Sequence, residues 1–138
     1  MNILIVDDEE EVLKMLKRHL ELEGYDVTTT PDPVEAVEMM KENLFNMVVS
    51  DIRMPVLSGV ELLRELRAVN PLVNIIIITG YSNMSYVVDC LASGAVDYFT
   101  KPIRDMDLFL QVIGQTQKRV ERWTQAMQIG ESYGQTAS

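Results

Sequence analysis

The sequence predicts an α/β fold with a doubly wound, five-stranded parallel sheet and helices on both of its faces. Short apolar runs alternate with segments of helical periodicity along nearly the whole chain, and such alternation is typical of a parallel sheet with right-handed crossovers. Three of the runs are continuously apolar, as strands covered on both faces are: Ile3–Val6, Met47–Val49 and Ile75–Ile78. The length of 138 residues excludes a closed eight-stranded barrel, which needs about 200 residues or more.

Five strands are predicted from these runs. In chain order they are Asn2–Val6, Tyr25–Thr30, Asn46–Ser50, Asn74–Ile78 and Val96–Phe99. The second strand is more polar than the others and rich in threonine, which is typical of an edge strand.

Four helices are predicted between the strands, each with start or stop signals. Gly24 ends the first helix, and Pro33 opens the second at a favoured first-turn position. Ser58 caps the third with Glu61 as its capping-box partner, and Gly94 follows the fourth. The residues predicted to face inward are, helix by helix, Val12, Leu16 and Leu20; Val37, Met40 and Leu44; Leu62, Leu66 and Val69; and Val87, Val88, Leu91 and Ala95.

The last segment predicts a fifth, extended helix that begins near Asp105. Apolar residues recur there in a heptad-like stripe: Met106, Ile113, Val120 and Met127, with Phe109, Thr116, Trp123 and Gly130 three residues after each. We expect a domain over residues 1–117 and a helical extension over 118–138 that serves as a linker or a dimerisation segment. The small, polar stretch from Gly130 to Ser138 is expected to fray.

The composition restricts the class of protein further. The formal net charge of −9 argues against direct binding to nucleic acid, which needs clustered Lys and Arg. The single cysteine, Cys90, excludes an internal disulfide framework and a multi-cysteine metal site. No apolar run is long enough for a membrane span, and the N-terminus does not resemble a signal peptide. These features predict a cytoplasmic domain with no membrane partner.

Ionisable or hydroxyl side chains follow four of the predicted strands. They are Asp7 and Asp8 after the first strand, Asp51 after the third, Thr79 after the fourth and Lys101 after the fifth. Each has an ordinary structural interpretation by itself, such as a helix cap or a turn. Together they gather at one edge of the sheet, where open α/β folds place their functional groups.

Electrostatics indicates what such a site would bind. Two like charges about 4 Å apart repel by about 4 kcal/mol at an effective dielectric of about 20, so converging carboxylates raise a pKa or bind a cation. Carboxylate oxygens from Asp7, Asp8 and Asp51 suit Mg²⁺. A metal ion and the ammonium of Lys101 around one carboxylate are suited to bringing a phosphoryl group onto it.

The same motifs resemble the receiver domain of bacterial two-component response regulators, over about residues 1–117. The matching motifs are Asp7-Asp8, Val-Val-Ser-Asp-Ile-Arg-Met-Pro around Asp51, Gly59, Thr79-Gly80, Gly94-Ala95, Tyr98 and Lys101-Pro102. The resemblance implies a flavodoxin-like strand order of 2-1-3-4-5. It also implies a phosphorylation switch that takes its phosphoryl group from a histidine kinase or a phosphotransfer protein.

The resemblance implies a role for most of the matching residues. Asp51 is the phospho-acceptor, and Mg²⁺ is bound by Asp8 and Asp51 directly, by Asp7 through water and by the backbone carbonyl of Arg53. The remaining implied roles are ion pairing by Lys101, phosphoryl binding by Thr79, inward rotation of Tyr98, space for the phosphoryl group at Gly80 and a cis bond before Pro102.

Two further residues flank the expected phosphoryl position. Arg53 and Tyr81 follow Asp51 and Thr79 by two residues each. We hypothesise that they crowd the path of an attacking water and so slow self-dephosphorylation.

The readout is expected at the face formed by the fourth helix, the fifth strand and the fifth helix, which contacts a downstream output domain or protein. A homodimer through that face or through the last helix is a further prediction.

The rival interpretations are an aspartyl-nucleophile phosphatase, a flavin-binding module and a degenerate receiver that only dimerises. The phosphatase pattern requires a second acid where Arg53 stands, and the acidic run after the first strand would repel a flavin phosphate. No Gly-x-x-x-x-Gly-Lys loop is present, so we expect no direct use of ATP and no turnover enzyme.

Overall fold

The computed structural model describes residues 1–51, 58–80 and 84–137, with the backbone alone for Met84 and for residues 129–137. The elements are β1 (Asn2–Val6), α1 (Glu10–Leu22), β2 (Asp26–Thr30), α2 (Pro33–Glu42), β3 (Met47–Asp51), α3 (Gly59–Val69), β4 (Asn74–Thr79), α4 (Met84–Ala92), β5 (Asp97–Thr100) and α5 (Met106–Ala137). Each predicted strand is confirmed, with its bounds shifted by no more than one residue.

The five strands form one parallel sheet in the order β2-β1-β3-β4-β5. This order confirms the doubly wound fold and the edge position of β2. Strand β2 alternates between exposed and partly buried residues up to the buried Thr30, whereas all residues of β3 and β4 are buried. The continuous apolar runs therefore identified the strands that are covered on both faces.

Two compact units make up the chain, Met1–Arg104 and Asp105–Ser138. In the first unit, alternate side chains of the central strands join a core cluster with helices α2, α3 and α4; the strand members are Leu4, Val6, Val48, Ile75 and Ile77. The intervening residues of β1, Ile3 and Ile5, point to the other face because successive side chains of a strand alternate. The domain boundary expected near residue 117 stays a prediction.

The predicted helix signals have clear structural roles. Pro33 is the first residue of α2, and the side chain of Ser58 accepts a hydrogen bond from the N–H of Glu61. At the end of α1, Gly24 has φ +92°. The N–H groups of Gly24 and Tyr25 donate to the carbonyls of Glu21 and Leu20, which is the Schellman arrangement.

Two predicted helix faces are wrong in part. Val88 and Leu91 of α4 are 67% and 39% exposed, and the buried side chains are Val87 and Cys90. Helix α4 contacts α3 and β4, and this contact buries a narrower stripe than the sequence suggests. Leu44 is also exposed, because α2 ends at Glu42 and the helical periodicity ends with it.

The second unit is the single helix α5. Phe109, Ile113 and Thr116 are buried, and Met127 is exposed. The helix continues to Ala137, through the stretch that was expected to fray. None of the described helices is long and apolar enough to cross a membrane.

Candidate functional site at the carboxyl edge of the sheet

The carboxyl ends of the strands bring the predicted residues together. Asp7 directly follows β1, and its N–H donates to the carbonyl of Thr30 at 3.2 Å. Asp51 is the last residue of β3 and Thr79 the last residue of β4. Lys101 directly follows β5, and its N–H donates to the carbonyl of Thr79 at 2.7 Å. The sheet backbone therefore fixes where each side chain starts.

The ammonium group of Lys101 lies among three carboxylates. Its Nζ is 2.7 Å from Oδ2 of Asp7, 2.8 Å from Oδ2 of Asp51 and 3.1 Å from Oε1 of Glu9. The bonds to Asp51 and Glu9 are hydrogen bonds. The contact with Asp7 has the distance of an ion pair, while Oδ2 of Asp7 is buried and makes no hydrogen bond.

Burial and the neighbouring charges shift the pKa values of Asp7 and Lys101. Asp7 is fully buried and Asp51 is 6% exposed. Burial raises the pKa of Asp7, and the close contact of Lys101 and the hydrogen bond from the N–H of Glu9 offset this only in part. For Lys101, burial by itself lowers the pKa, but hydrogen bonds and charges from Asp51 and Asp7 more than reverse this, so the pKa is raised. Lys101 thus stays an ammonium that compensates the buried acids.

The short segment after β1 positions the acids. Oδ1 of Asp7 accepts a hydrogen bond from the N–H of Glu9 at 2.8 Å. Glu9 is the N-cap residue of α1, so neither Asp7 nor Asp8 is the N-cap. The interpretation of these aspartates as simple caps of the first helix is therefore wrong.

Four acids of this site could hold a hard cation. Carboxylate oxygens of Asp7, Asp8, Glu9 and Asp51 all lie within 4.8 Å of one another. An oxygen-only donor set suits Mg²⁺, and the buried Oδ2 of Asp7, which lies 2.7 Å from the ammonium of Lys101, is a further carboxylate oxygen of this set. The donor set therefore agrees with the predicted chemistry.

The other predicted residues lie in β4, in β5 or directly after these strands, or they lie outside the described residues. The hydroxyl of the buried Thr79 donates to the carbonyl of Gly80 at 3.2 Å. A Cβ at Gly80 would meet no heavy atom within 4 Å. Tyr98 of β5 is 37% exposed, and the Lys101–Pro102 peptide bond is cis as implied. Arg53 and Tyr81 lie outside the described residues.

Glu9 is a site residue that the sequence reasoning missed. Its acidic neighbours Glu10 and Glu11 suggested that it simply favours the positive end of the α1 dipole. The signal that could have found it is its place as the third consecutive acid after a buried strand. Its contact with Lys101, 92 residues away, depends on the tertiary fold.

The sequence model of the response regulator receiver domain matches residues 3–113. The chain belongs to this family. Receiver domains are signalling domains and typically bind Mg²⁺. The assignment agrees with the fold, the strand order and the acidic cluster.

Two curated relatives show how far the similarity extends. The transcriptional regulatory protein ZraR of Klebsiella oxytoca is 37% identical over 103 residues, which cover 75% of this receiver domain chain and 23% of ZraR. The transcriptional regulatory protein PrrA of Mycobacterium tuberculosis is 38% identical over 110 residues, 80% of this chain and 47% of PrrA. The match therefore spans 23% of the length of ZraR and 47% of that of PrrA.

Solved structures give the same fold. A response regulator receiver domain protein from Clostridium thermocellum has a TM-score of 0.81 and 31% identity, with 88% of this chain and 98% of that chain covered. The beryllofluoride-activated NtrC4 receiver domain dimer has a TM-score of 0.76 and 30% identity, with 85% and 97% covered.

Proposed function

We propose that Asp51 of this receiver domain accepts a phosphoryl group from a phosphohistidine of a sensor kinase or phosphotransfer protein. The observation that carries the proposal is the placement of one ammonium, that of Lys101, between two buried carboxylates at the carboxyl ends of different strands. Asp51 lies at the end of its strand and retains a small exposed surface. Its carboxylate thus remains reachable for a phosphoryl donor while its position is fixed.

The transfer requires little more than positioning and charge compensation. An oxygen of the Asp51 carboxylate attacks phosphorus, the phosphorus–nitrogen bond of the donor breaks, and its electron pair returns to the imidazole nitrogen. The product is an acyl phosphate on Asp51. Lys101 lies 2.8 Å from Asp51, within reach of the new phosphoryl oxygens, and Asp7 holds the ammonium from the buried side.

Asp7, Asp8, Asp51 and the backbone carbonyl of Arg53 are the proposed residues for binding Mg²⁺, with Arg53 outside the described residues. When bound, the ion supplies positive charge that neutralises the carboxylates and the transferred phosphoryl group.

Thr79 and Tyr98 are proposed to report phosphorylation. Phosphorylation adds a charge of about −1.5 to −2 and three acceptor oxygens, and the buried hydroxyl of Thr79 can turn from the carbonyl of Gly80 to one of them. Tyr98 then occupies the space that opens, and this shifts a two-state equilibrium. Arg53 and Tyr81 are proposed to slow the loss of the phosphoryl group.

The output partner is proposed to bind the face that the resemblance to receiver domains predicts from α4, β5 and α5. Large side chains are exposed on α4 and β5: Tyr86, Val88, Leu91 and Tyr98. The curated relatives are transcriptional regulators, and the similar NtrC4 receiver domain is a dimer in its beryllofluoride-activated form. A homodimer controlling a transcriptional output therefore fits this chain. The phosphatase, flavin-binding and degenerate alternatives are not favoured.

Phosphorylation by a small-molecule donor tests the proposal. The chain is incubated with acetyl phosphate and Mg²⁺, and the mass of the intact protein is followed. We expect one added phosphoryl group that hydroxylamine removes, as it does from acyl phosphates, and that disappears in Asp51→Asn. The matched control Asp107→Asn changes an exposed acid far from the cluster in sequence and should be modified like the wild type. Modification that persists in Asp51→Asn, or none in the wild type, contradicts the proposal.

A further inference from the structure

Glu9 occupies a helix-capping position without capping the helix. It is the N-cap residue of α1, has extended backbone angles and makes no side-chain hydrogen bond to the first turn. Ser, Thr, Asp and Asn are the residues that favour this position. The carboxylate of Glu9 instead accepts a hydrogen bond from Nζ of Lys101 at 3.1 Å.

This contact completes a ring of three carboxylate oxygens around the ammonium of Lys101. Its Nζ donates hydrogen bonds to Asp51 and Glu9 and lies 2.7 Å from Oδ2 of Asp7 as an ion pair. A phosphoryl oxygen that approaches Nζ at hydrogen-bond distance must therefore replace one of these three oxygens.

The three carboxylates differ in how easily they can be replaced. Asp7 is fully buried and is held by the N–H of Glu9. Asp51 is the residue that carries the phosphoryl group under the proposed function. The side chain of Glu9 is 61% exposed, so water can solvate its carboxylate at little cost once it leaves Lys101.

We infer that Glu9 is a positioning residue that occupies one N–H donor of Lys101 in the unphosphorylated state and is displaced by the phosphoryl group. This inference rests on the proposed function. Glu9 acts through Lys101 rather than on the reacting atoms. Its bond to Lys101 stabilises the resting state relative to the phosphorylated one, so weakening that bond favours the phosphorylated form.

Beryllofluoride, an analogue of the phosphoryl group, measures this competition. Its affinity is determined by calorimetry at saturating Mg²⁺, with metal affinity measured separately. Glu9→Gln removes the charge of the acceptor, and Glu9→Asp keeps the charge but shortens the side chain beyond reach of Lys101. Both should bind beryllofluoride about two- to five-fold more tightly than the wild type, the range expected for loss of a largely exposed ion pair. The control Glu10→Gln alters an acid that pairs with Lys14 instead and should leave the affinity unchanged.

The ¹⁵N resonance of the Lys101 ammonium provides a second readout that a general change in stability would not move. In the free protein it should differ from the wild type in both Glu9 variants and not in Glu10→Gln. With beryllofluoride bound, all four proteins should converge, because Glu9 is displaced in each.

Three results overturn the inference. The first is equal beryllofluoride affinity in the Glu9 variants and Glu10→Gln. The second is tighter binding in Glu9→Gln with no change in Glu9→Asp, which would assign the effect to net charge alone. The third is a wild type that does not bind beryllofluoride at all, which overturns the proposed function as well and is thereby distinguished from the first two.

Discussion

At the scale of single residues, the site depends on one cation compensating several acids. Asp7 and Asp51 are buried, and Lys101 is the ammonium that contacts both. Breaking a buried pair is strongly destabilising, because the remaining charge is left without compensation. The pairing is unequal, however, since Lys101 keeps Asp7 and Glu9 when Asp51 is neutralised, whereas removal of Lys101 takes this ammonium away from both buried acids.

Lys101→Met is therefore expected to destabilise the metal-free protein by about 2–4 kcal/mol, measured by urea unfolding at pH 7. Asp51→Asn should leave the free energy of unfolding unchanged or raise it, because it relieves repulsion with Asp7. The fold raises the pKa of Lys101. The wild type therefore exceeds Lys101→Met in free energy of unfolding by the full amount below the ordinary lysine pKa of 10.5. This difference is lost as pH rises through the folded value. A larger loss of unfolding free energy in Asp51→Asn than in Lys101→Met would contradict this account.

At the scale of elements, the end of α4 is held by a neighbouring helix. Gly94 has φ +109°, and the N–H groups of Gly94 and Ala95 donate to the carbonyls of Leu91 and Cys90, as in a Schellman motif. The last turn of α4 has no basic residue. Arg67 of α3 supplies one, because its Nη1 donates to the carbonyl of Gly94 at 2.9 Å and its charge complements the helix dipole.

Two glycine substitutions separate backbone strain from this contact. A Cβ at Gly94 would lie 2.8 Å from Nη1 of Arg67, whereas a Cβ at Gly24, φ +92°, would meet nothing within 4 Å. Gly24→Ala should cost about 1–2 kcal/mol of unfolding free energy through left-handed strain alone. Gly94→Ala should cost about 1 kcal/mol more, because the guanidinium must move away from the carbonyl. In an Arg67→Ala background this extra cost should vanish, and its persistence in urea unfolding would show that Arg67 is not its cause.

At the scale of the whole molecule, Cys90 reports the opening of the core of the first unit. Its side chain is fully buried in the cluster that joins the sheet with α2, α3 and α4. Burial, and to a lesser degree the charge of Asp89, raises the pKa of this thiol above its ordinary value of 9.0. Both effects keep the thiol protonated, and burial also keeps it out of reach of reagents in the folded chain.

Cys90 should therefore react with a disulfide reagent at a rate that follows the unfolded population, with urea dependence parallel to that of unfolding. A raised thiol pKa also makes stability highest below pH 9.0 and lower as pH rises through the folded value. The fall should be steeper in the wild type than in Cys90→Ala, which has no thiol to titrate. Fast modification under native conditions, or equal pH profiles, would contradict this.

Periodicity and strand-end chemistry predicted most of the fold and of the site. Three of the strands were located because continuous apolar runs are set by burial on both faces. Asp7 and Asp51 were found because they come after such runs, and Lys101 because it comes after the fifth predicted strand. The inward faces of α4 and of the end of α2 were predicted less well. Val88, Leu91 and Leu44 are apolar but exposed, and a hydrophobic pattern does not reveal how wide a contact a neighbouring element offers.

Local sequence by itself determined the order of strands and helices, the turns at Gly24 and Gly94 and the set of acids available for chemistry, because these follow from backbone sterics and residue type within a few positions. Only the tertiary structure decided which acids share the ammonium of Lys101. Glu9 and Asp51 lie 92 and 50 residues from Lys101. Such contacts depend on the register of separate strands and on the direction of α1, which no short stretch of sequence encodes.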